Sequence, residues 1–320
     1  MSSSTQPLVR QAAAPPPRAA RRPGRRPMTD KQFALVLILP AAAFLAVFVL
    51  WSLVKLVIDS FYDIAPLAGT RRFVGLDNYT NALTSSDFLH AALRTLAYTV
   101  IVVTLEFALG LGAALLFNSL GQRSRMLRTV FLYPLMIAPV VAGLLWRFLL
   151  IDNFGLVNAL LVRVGILDSP ADIGWLSDPN IVLASVSIPD IWLTTSFMTL
   201  VLFAGLQNIP GDVLEAARLD GANHRQQLFR IILPLLRPVI AVALIVRGID
   251  AARAFDTIVI QTNGGPESAS TTLSLLIYRT TVRFGEQGLA SAMGALYLIA
   301  MLAAAFVAMR MIWRPGGGES

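Results

Sequence analysis

The sequence predicts an all-α integral membrane protein with six transmembrane helices. Hydrophobic residues make up 56% of the 320 residues, and charged residues only 14%. A helix of about 20 mostly apolar residues is needed to cross a bilayer, and six separate stretches approach or exceed that length. These stretches lie near residues 33–58, 95–117, 130–151, 181–206, 238–262 and 289–312. We therefore interpret each stretch as one membrane-crossing helix.

Residues 1–32 precede the first apolar stretch and are rich in Ala, Pro, Arg and Ser. This composition cannot bury a core, so we expect a disordered basic tail. A transit peptide is the alternative, because the segment is rich in arginine and almost free of acids, but its prolines argue against the amphipathic helix that such peptides need. A cleaved signal peptide is disfavoured because the apolar run at 33–58 is longer than a signal sequence requires.

The formal charge of +7 is concentrated in this tail, where the basic residues outnumber the single acid Asp30. The tail bases are Arg10, Arg18, Arg21, Arg22, Arg25, Arg26 and Lys31. The rest of the chain is nearly neutral and offers no basic surface for nucleic acid. We interpret the tail as a topology signal or a contact for anionic lipid.

Several kinds of chemistry are excluded by residues that the sequence lacks. Without cysteine there are no disulfides, thiolate metal ligands or cysteine nucleophiles. The two lysines, Lys31 and Lys55, lie outside any glycine-rich loop, so no Walker A lysine is available to bind ATP phosphates. His90 and His224 are too far apart for a helical metal motif. We therefore expect no metal, no cofactor and no ATP hydrolysis on this chain.

The segments between the helices predict the orientation in the membrane. Most of the 26 basic residues fall in the tail, in the short loop with Arg123, Arg125 and Arg128, in the loop at 208–238 and near the C-terminus. The segments at 59–92 and 152–180 carry more acids than bases. Because basic residues accumulate on the cytoplasmic side, we expect both termini and the 208–238 loop to be cytoplasmic.

Within the third apolar stretch, Pro134 and Pro139 are able to kink the helix. The loop at 208–238 then predicts two short helices between the fourth and fifth spans. Pro210 favours the start of the first helix, and Asp212 and Glu215 stand at capping-box spacing.

Gly221 is expected to end this first short helix, and Pro234 and Pro238 are expected to close the second. On the second helix four apolar residues fall on one face at spacings of three and four, and most polar residues fall elsewhere. The apolar residues are Leu228, Ile231, Ile232 and Leu235. One face is thus predicted to lie on the membrane domain while the other meets a soluble partner.

The same loop carries a spaced motif: Glu215-Ala216-Ala217, three residues, Gly221, nine residues, Ile231, one residue, Leu233-Pro234. It resembles the "EAA" signature of permease subunits of binding-protein-dependent ABC importers of the carbohydrate type. The resemblance implies a MetI-like permease fold for 33–314, followed by a C-terminal tail at 315–320. It also implies that the loop docks into a cleft of the ATPase and passes movement to the membrane helices. The residues expected to couple to the ATPase are Glu215, Ala216, Ala217, Asp220, Gly221, Ile231, Leu233 and Pro234.

The residue types of this motif suit a docking helix. Ala216 and Ala217 leave a surface that can approach a cleft closely, and Glu215 offers an anion to basic groups. Gly221 permits a sharp turn because glycine adopts positive φ without steric cost.

Helix five carries Arg247, Asp250, Arg253 and Asp256, a charge at every third position. On insertion scales a central Arg or Asp costs about 2.5 to 3.5 kcal/mol, so this helix cannot simply face lipid. The i,i+3 spacing lets opposite charges pair along the helix, with part of it facing other helices and part a water-filled path. A purely structural ion-pair network is the alternative. Glu106, Arg147 and Asp190 are further charges in or near apolar stretches.

The run from Arg247 to Asp256, followed by Thr262 to Pro266, resembles the fifth helix and outer loop of sugar permeases, which line the translocation path. This resemblance adds Gly264, Gly265 and Pro266 to the four charged residues as path candidates. Trp192 is a further candidate, because a sugar ring can stack on its indole.

The family implies partners and a substrate class. We expect an ABC ATPase dimer that holds ATP and Mg, a second permease subunit, an extracytoplasmic solute-binding protein, and import of a sugar or polyol across the bacterial inner membrane. Importers of glycerol phosphate, peptides or osmolytes are alternatives within the class. An ion-coupled secondary transporter is the alternative from another class, and the absence of a visible internal repeat weighs against it. No nucleophile and base constellation indicates a membrane enzyme.

Overall fold

The computed structural model describes residues 29–65, 69–121 and 125–312. The predictions for the tail before residue 29, for Arg123 and for the C-terminal tail at 315–320 fall outside these residues.

Five described helices are long and apolar enough to cross a membrane. They are Phe33–Asp59, Ser86–Leu120, Val182–Gln207, His224–Ala252 and Gln287–Arg310. Two further helical pieces, Arg125–Met136 and Pro139–Leu150, are long and apolar enough as a pair but are bent by 98° against each other, so they make a sixth span if the pair crosses as one broken span. The predicted all-α membrane fold is confirmed, with five unbroken spans and a sixth when the sharply bent pair is counted as the third span.

The first helix, α1 (Asp30–Asp59), is exposed from Phe33 to Lys55. The hairpin that follows pairs β1 (Tyr62–Ala65) with β2 (Thr70–Phe73) in antiparallel register. It precedes the short helix α2 (Asp77–Thr84). The buried amide of Asn78 donates to the carbonyl oxygens of Ser60 and Tyr62, at 3.0 and 2.9 Å. The polar segment after the first span is therefore a folded unit.

Helix α3 (Ser86–Leu120) begins earlier than its apolar stretch, because the Ser85 hydroxyl accepts from the Phe88 amide and caps it. It packs along α7 (Val182–Gln207). A Cβ at Gly110 would lie 2.7 Å from Met198 Cγ, so the two helices approach closely where α3 has a glycine.

The third span comprises α4 (Arg125–Leu132), a 3₁₀ turn (Tyr133–Met136) and α5 (Pro139–Leu150). Pro134 lies in the 3₁₀ turn and Pro139 is the first residue of α5. The predicted proline kink is confirmed, and it is large enough to redirect the chain.

Helix α6 (Leu156–Arg163) belongs to the segment that links α5 to α7. Its fully buried Asn158 donates to the carbonyl oxygens of Asp152, Pro170 and Ile173 at 2.7 to 2.8 Å. The Asn158 carbonyl accepts from the indole N–H of Trp175 at 2.6 Å. One amide therefore holds this otherwise irregular segment together.

The 208–238 loop contains α8 (Gly211–Leu219), α9 (His224–Gln227) and a π turn (Leu228–Ile232) that leads directly into α10 (Leu233–Ala252). The prediction that Pro234 and Pro238 close the second helix is wrong. Pro234 lies in the first turn of α10, where a missing N–H is tolerated, and the π turn widens the helix just before it. Pro238 lies inside α10.

The π turn also changes which side of this helix is buried. Leu228, Ile231 and Ile232 are half-buried as expected, but Leu235 is 50% exposed. A π turn holds one residue more than an α turn, so it shifts the buried face onto Gln227 and Leu236.

The predicted fifth helix at 238–262 is two helices. Helix α10 ends at Ala252, and α11 (Asp256–Gln261) begins after a gap of three residues. The chain continues through the loop at 262–272 to α12 (Leu273–Val282) and α13 (Gln287–Ile312). The prediction that all four charges lie on one helix was therefore wrong, because the helix breaks between the second charge, Asp250, and the fourth, Asp256.

Three apolar clusters form the core of this helical assembly. Helices α3, α7 and α10 meet around Met198, Leu202 and Leu236. Farther along, α11 and α12 join them around Tyr98 and Ile258. The third cluster connects α2, α3, α12 and α13. Helices α3, α7 and α10 thus form the centre that carries the charged residues described next.

Candidate functional site

The most deeply buried charges of the described residues meet at Arg247, on α10. Its Nε and Nη2 donate to the two carboxylate oxygens of Glu106, on α3, both at 2.7 Å. The Arg247 side chain is 3% exposed and that of Glu106 is fully buried. This two-pronged geometry is the strongest form of the arginine–carboxylate contact. Removing one partner of such a buried pair costs about 3 to 5 kcal/mol, because the other charge remains buried and unpaired.

Helix α7 contributes a second carboxylate to this arginine. Asp190 Oδ1 lies 3.2 Å from Arg247 Nη2, and Asp190 Oδ2 accepts from the Tyr98 hydroxyl at 3.1 Å. The Thr194 hydroxyl donates to Glu106. Three helices therefore converge on one guanidinium group, and polar neighbours satisfy its carboxylate partners.

The predicted pairing along the helix is present in part. Asp250 contacts Arg247 Nη1 through Oδ2, and its Oδ1 lies 3.5 Å from Arg253 Nη2. Asp256 is exposed and takes part in no ion pair among the described residues. Sequence reasoning noticed Glu106 and Asp190 as charges but missed that they are the main partners of Arg247. Each of the three charges lies near the middle of its apolar stretch, and this shared position was the signal that could have identified them.

The break after α10 exposes backbone groups that would be costly inside a membrane. The Tyr297 hydroxyl, on α13, donates to the Ala252 carbonyl at 2.5 Å, and the Thr272 hydroxyl donates to the Ala254 carbonyl at 3.4 Å. Irregular backbone at membrane depth is tolerated where it is buried in protein or lines a water-filled cavity. Discontinuous helices of this kind form substrate sites in many transporters.

The predicted outer residues Gly264, Gly265 and Pro266 lie in the loop after α11, away from the Arg247 contacts. Arg279, on α12, donates to the carbonyl of Asn263 and to the Thr271 hydroxyl. Burial and the neighbouring charge of Arg283 lower the pKa of Arg279. Gly264 is buried and has φ +84°. A Cβ there would lie 2.5 Å from the Thr271 hydroxyl oxygen, so the loop has no room for a side chain at this position.

Trp192 lies on α7 and faces a different cavity from the charged cluster. Its ring makes an edge-to-face contact with Trp146, on α5, with ring centroids 6.1 Å apart. Both rings line a cavity of about 570 Å³ together with Thr195 and Ser196. The Trp146 Nε1 is buried and has no hydrogen-bond partner in the described structure. The cavity thus combines aromatic walls with a free donor and two hydroxyl-bearing residues.

In the 208–238 loop, α8 is exposed over most of its surface, and Ala217 is its buried residue. Gly221 has φ +81°, as predicted for the residue that ends this helix. The amide of Gly221 donates to the Arg218 carbonyl, and that of Ala222 donates to the Ala217 carbonyl. These two bonds form a Schellman motif, in which glycine is favoured.

The predicted capping pair at the start of α8 is wrong. Pro210 is the N-cap residue, and no side chain caps this end. The capping box lies instead at α9, where Asn223 and Gln226 bond each other's backbone amides at 2.8 and 2.9 Å. Asparagine precedes its partner by three residues here, and this pattern was present in the sequence.

The remaining motif residues divide between the two helices. Glu215, Ala216 and Asp220 are exposed on or just after α8. Ile231 lies in the π turn, and Leu233 and Pro234 begin α10, all half-buried against the membrane helices. Within the described ranges, no group of three or more His, Asp or Glu side chains is placed to hold a metal ion.

Residues 106–314 match the family described as "Binding-protein-dependent transport system inner membrane component". A trehalose/maltose transport system permease protein of Thermococcus litoralis is 34% identical over 88% of this chain and 94% of its own length. A sulfoquinovosyl glycerol transport system permease protein of Agrobacterium fabrum is 35% identical over 88% of this chain and 91% of its own length.

Among solved structures, a bacterial alginate ABC transporter in complex with an alginate pentasaccharide-bound periplasmic protein has a chain that superposes with a TM-score of 0.75. It is 23% identical and covers 88% of this chain and 94% of that one. The similarity shows a shared fold.

Proposed function

Because this chain belongs to the family of binding-protein-dependent transport system inner membrane components, we propose that it is the permease subunit of an ATP-driven importer for a sugar or polyol. In this proposal an extracytoplasmic binding protein delivers the solute. A separate ATPase dimer holds ATP and Mg and performs the hydrolysis. A second permease subunit pairs with this chain to enclose the path.

The exposed surface of helix α8 supports the coupling role. Its residues Glu215 and Ala216 are exposed. Two of its apolar residues are exposed as well, Val213 to 40% and Leu219 to 89%. Uncovered apolar side chains grouped on an otherwise polar segment are typical of protein-binding surfaces. We assign this surface to the ATPase and place it, with both termini, on the cytoplasmic side.

Transport then follows from the continuity of the chain at the coupling loop. Closure of the ATPase pair would move α8, and the Schellman turn at Gly221 passes that movement to α9 and α10. Helix α10 carries Arg247 and ends at the break beside Arg253. The helices around the break would alternate between inward-facing and outward-facing arrangements.

A neutral, polyhydroxylated solute fits the groups near this break. Arg253 and Asp250 are exposed but face each other, so the path offers paired charges and not a free cation. The Trp146 and Trp192 rings provide a further surface on which a sugar can stack. The two permeases compared above are named for carbohydrate solutes, which supports the same class.

The coupling role is tested by crosslinking, which the absence of cysteine makes simple. A216C should crosslink to the ATPase and should react with a membrane-impermeant thiol reagent only after the cells are opened. The control D77C, at the exposed start of α2, should react in intact cells and form no such crosslink. The opposite labelling pattern would show that α8 lies outside the cell.

The substrate class is tested in proteoliposomes that contain the assembled importer. Labelled trehalose or maltose should enter the vesicles only when ATP is inside them, on the same side as the ATPase, and the binding protein is outside. Uptake that collapses when ion gradients are dissipated, and that continues without the ATPase, would indicate the secondary transporter instead.

A further inference from the structure

The charged cluster extends from the protein core to the exposed side of the fifth span. The exposed side-chain fraction rises from 0% at Glu106 and 3% at Arg247 to 15% at Asp190, 56% at Asp250 and 62% at Arg253. The exposed members lie beside the break after α10, and the buried members are held by three helices. The cluster therefore connects the rigid core to the charges that the proposed path presents.

Asp250 links the two ends of this cluster. One of its oxygens contacts Arg247 and the other faces Arg253, so both oxygens are engaged. Arg247 uses Nε and Nη2 on Glu106 and has Nη1 directed at Asp250. Because the guanidinium group is a planar fork, fixing two of its nitrogens on Glu106 fixes the direction of the third. The orientation of Asp250 is thus set from within the core.

We propose that Glu106 and Asp190 are positioning residues for transport, acting through Arg247 to place Asp250 and Arg253 at the helix break. Neither carboxylate touches the solute in this proposal. Glu106 is fully enclosed, and Asp190 is occupied by Arg247 and Tyr98. The inference rests on the proposed function, because it assumes that the path runs beside the break.

If the cluster only held helices together, its contacts to Asp250 and Arg253 would not be needed. The contact between Arg247 and Glu106 already joins α3 to α10, and Asp190 adds α7. The extension to Asp250 and Arg253 joins no further helix, since both lie on or directly after α10. What the extension fixes is the position of two exposed charges.

The test is a double-mutant cycle in proteoliposomes that contain the complete importer. In E106Q the amide keeps the shape of the side chain, but one of its two ends can no longer accept from the guanidinium fork. We expect uptake to fall about tenfold or more in E106Q and in D250N, while ATP hydrolysis stays within about twofold of wild type. Uptake by the double variant E106Q/D250N should be no more than about twofold lower than uptake by the more impaired single variant, because both changes act on one chain of contacts.

The matched control is R71Q, which breaks the ion pair of Arg71 with Asp59 at 3.6 Å, outside the cluster. It should transport as wild type does. Wild-type uptake in E106Q, or effects of E106Q and D250N that multiply in the double variant, would overturn the positioning role. Uptake per inserted subunit that equals wild type in both E106Q and D190N, so that lost protein accounts for all lost uptake, would likewise overturn it.

If E106Q fails to insert, D190N takes its place under the same criteria, because Asp190 is partly exposed and retains a tyrosine neighbour. Uptake by the wild-type importer shows whether a failure concerns this inference or the proposed function. A wild-type importer that moves no sugar or polyol with ATP refutes the proposed function. A working importer with an unaffected cluster variant refutes only the positioning role.

Discussion

The turn at Gly221 gives the sharpest prediction for coupling. Its φ of +81° ends α8 and its amide completes one bond of the Schellman motif. A Cβ there would meet nothing within 4 Å, so a substitution acts through the backbone and not through a clash. A left-handed conformation costs a residue with a Cβ roughly 1 to 2 kcal/mol. That cost lowers the population of the native turn by a factor of about 5 to 30.

We therefore expect G221V to insert normally but to lose most ATP-driven uptake, measured as labelled solute accumulated per inserted subunit. G221N is the matched control, because asparagine tolerates the left-handed region, and it should retain more uptake than G221V. Uptake by G221V equal to wild type would refute the role given to this turn. Equal loss in both variants would show that the backbone conformation is not the cause.

Three further predictions concern folding. R247M leaves a carboxylate buried without its partner and should destabilise the subunit by about 3 to 5 kcal/mol, seen as loss of inserted protein, whereas R247K should be less affected. G110V forces a side chain against Met198 and should lower the free energy of unfolding by about 1 to 3 kcal/mol, seen as a lower melting temperature. G112V should have no such effect, because a Cβ at Gly112 meets no atom within 4 Å. N158A removes four hydrogen bonds and should make the segment between α5 and α7 sensitive to protease in detergent.

Much of the architecture could be predicted because it depends on local composition. Apolar stretches of sufficient length identified the spans, and the two prolines of the third stretch predicted its kink. Gly221 predicted the end of α8, because a helix end with positive φ has a specific residue requirement. Such features follow from a few neighbouring residues.

The errors arose where tertiary contacts override local signals. Pro234 and Pro238 suggested a helix end, yet the π turn absorbs the first and packing of α10 carries the helix past the second. At the break in the fifth span, the hydroxyl groups of Tyr297 and Thr272 donate to the carbonyl oxygens of Ala252 and Ala254, so these carbonyls have partners outside the helix. Neither neighbour is visible from the local sequence around residue 253.

The same limit applies to the candidate site. The spacing of Arg247 and Asp250 predicted a contact within one helix, and that contact is present. The partners Glu106 and Asp190 lie 141 and 57 positions away in the chain, so only the packing of α3 and α7 brings them to Arg247. Capping at Asn223 was missed for a simpler reason, since the earlier Asp212 and Glu215 pair matched the same pattern.

Helix α9, the π turn and α10 follow one another without a gap, so residues His224–Ala252 form one continuous helical segment that can transmit movement. At 1.5 Å per residue, its 29 residues extend over roughly 43 Å, which is more than the roughly 30 Å thickness of the hydrocarbon core of a bilayer. The backbone hydrogen bonds of a continuous helix make it stiff, so we expect a displacement at its His224 end to reach its Ala252 end. The three non-helical residues after Ala252 are then the place where such a displacement can change the angle between α10 and α11.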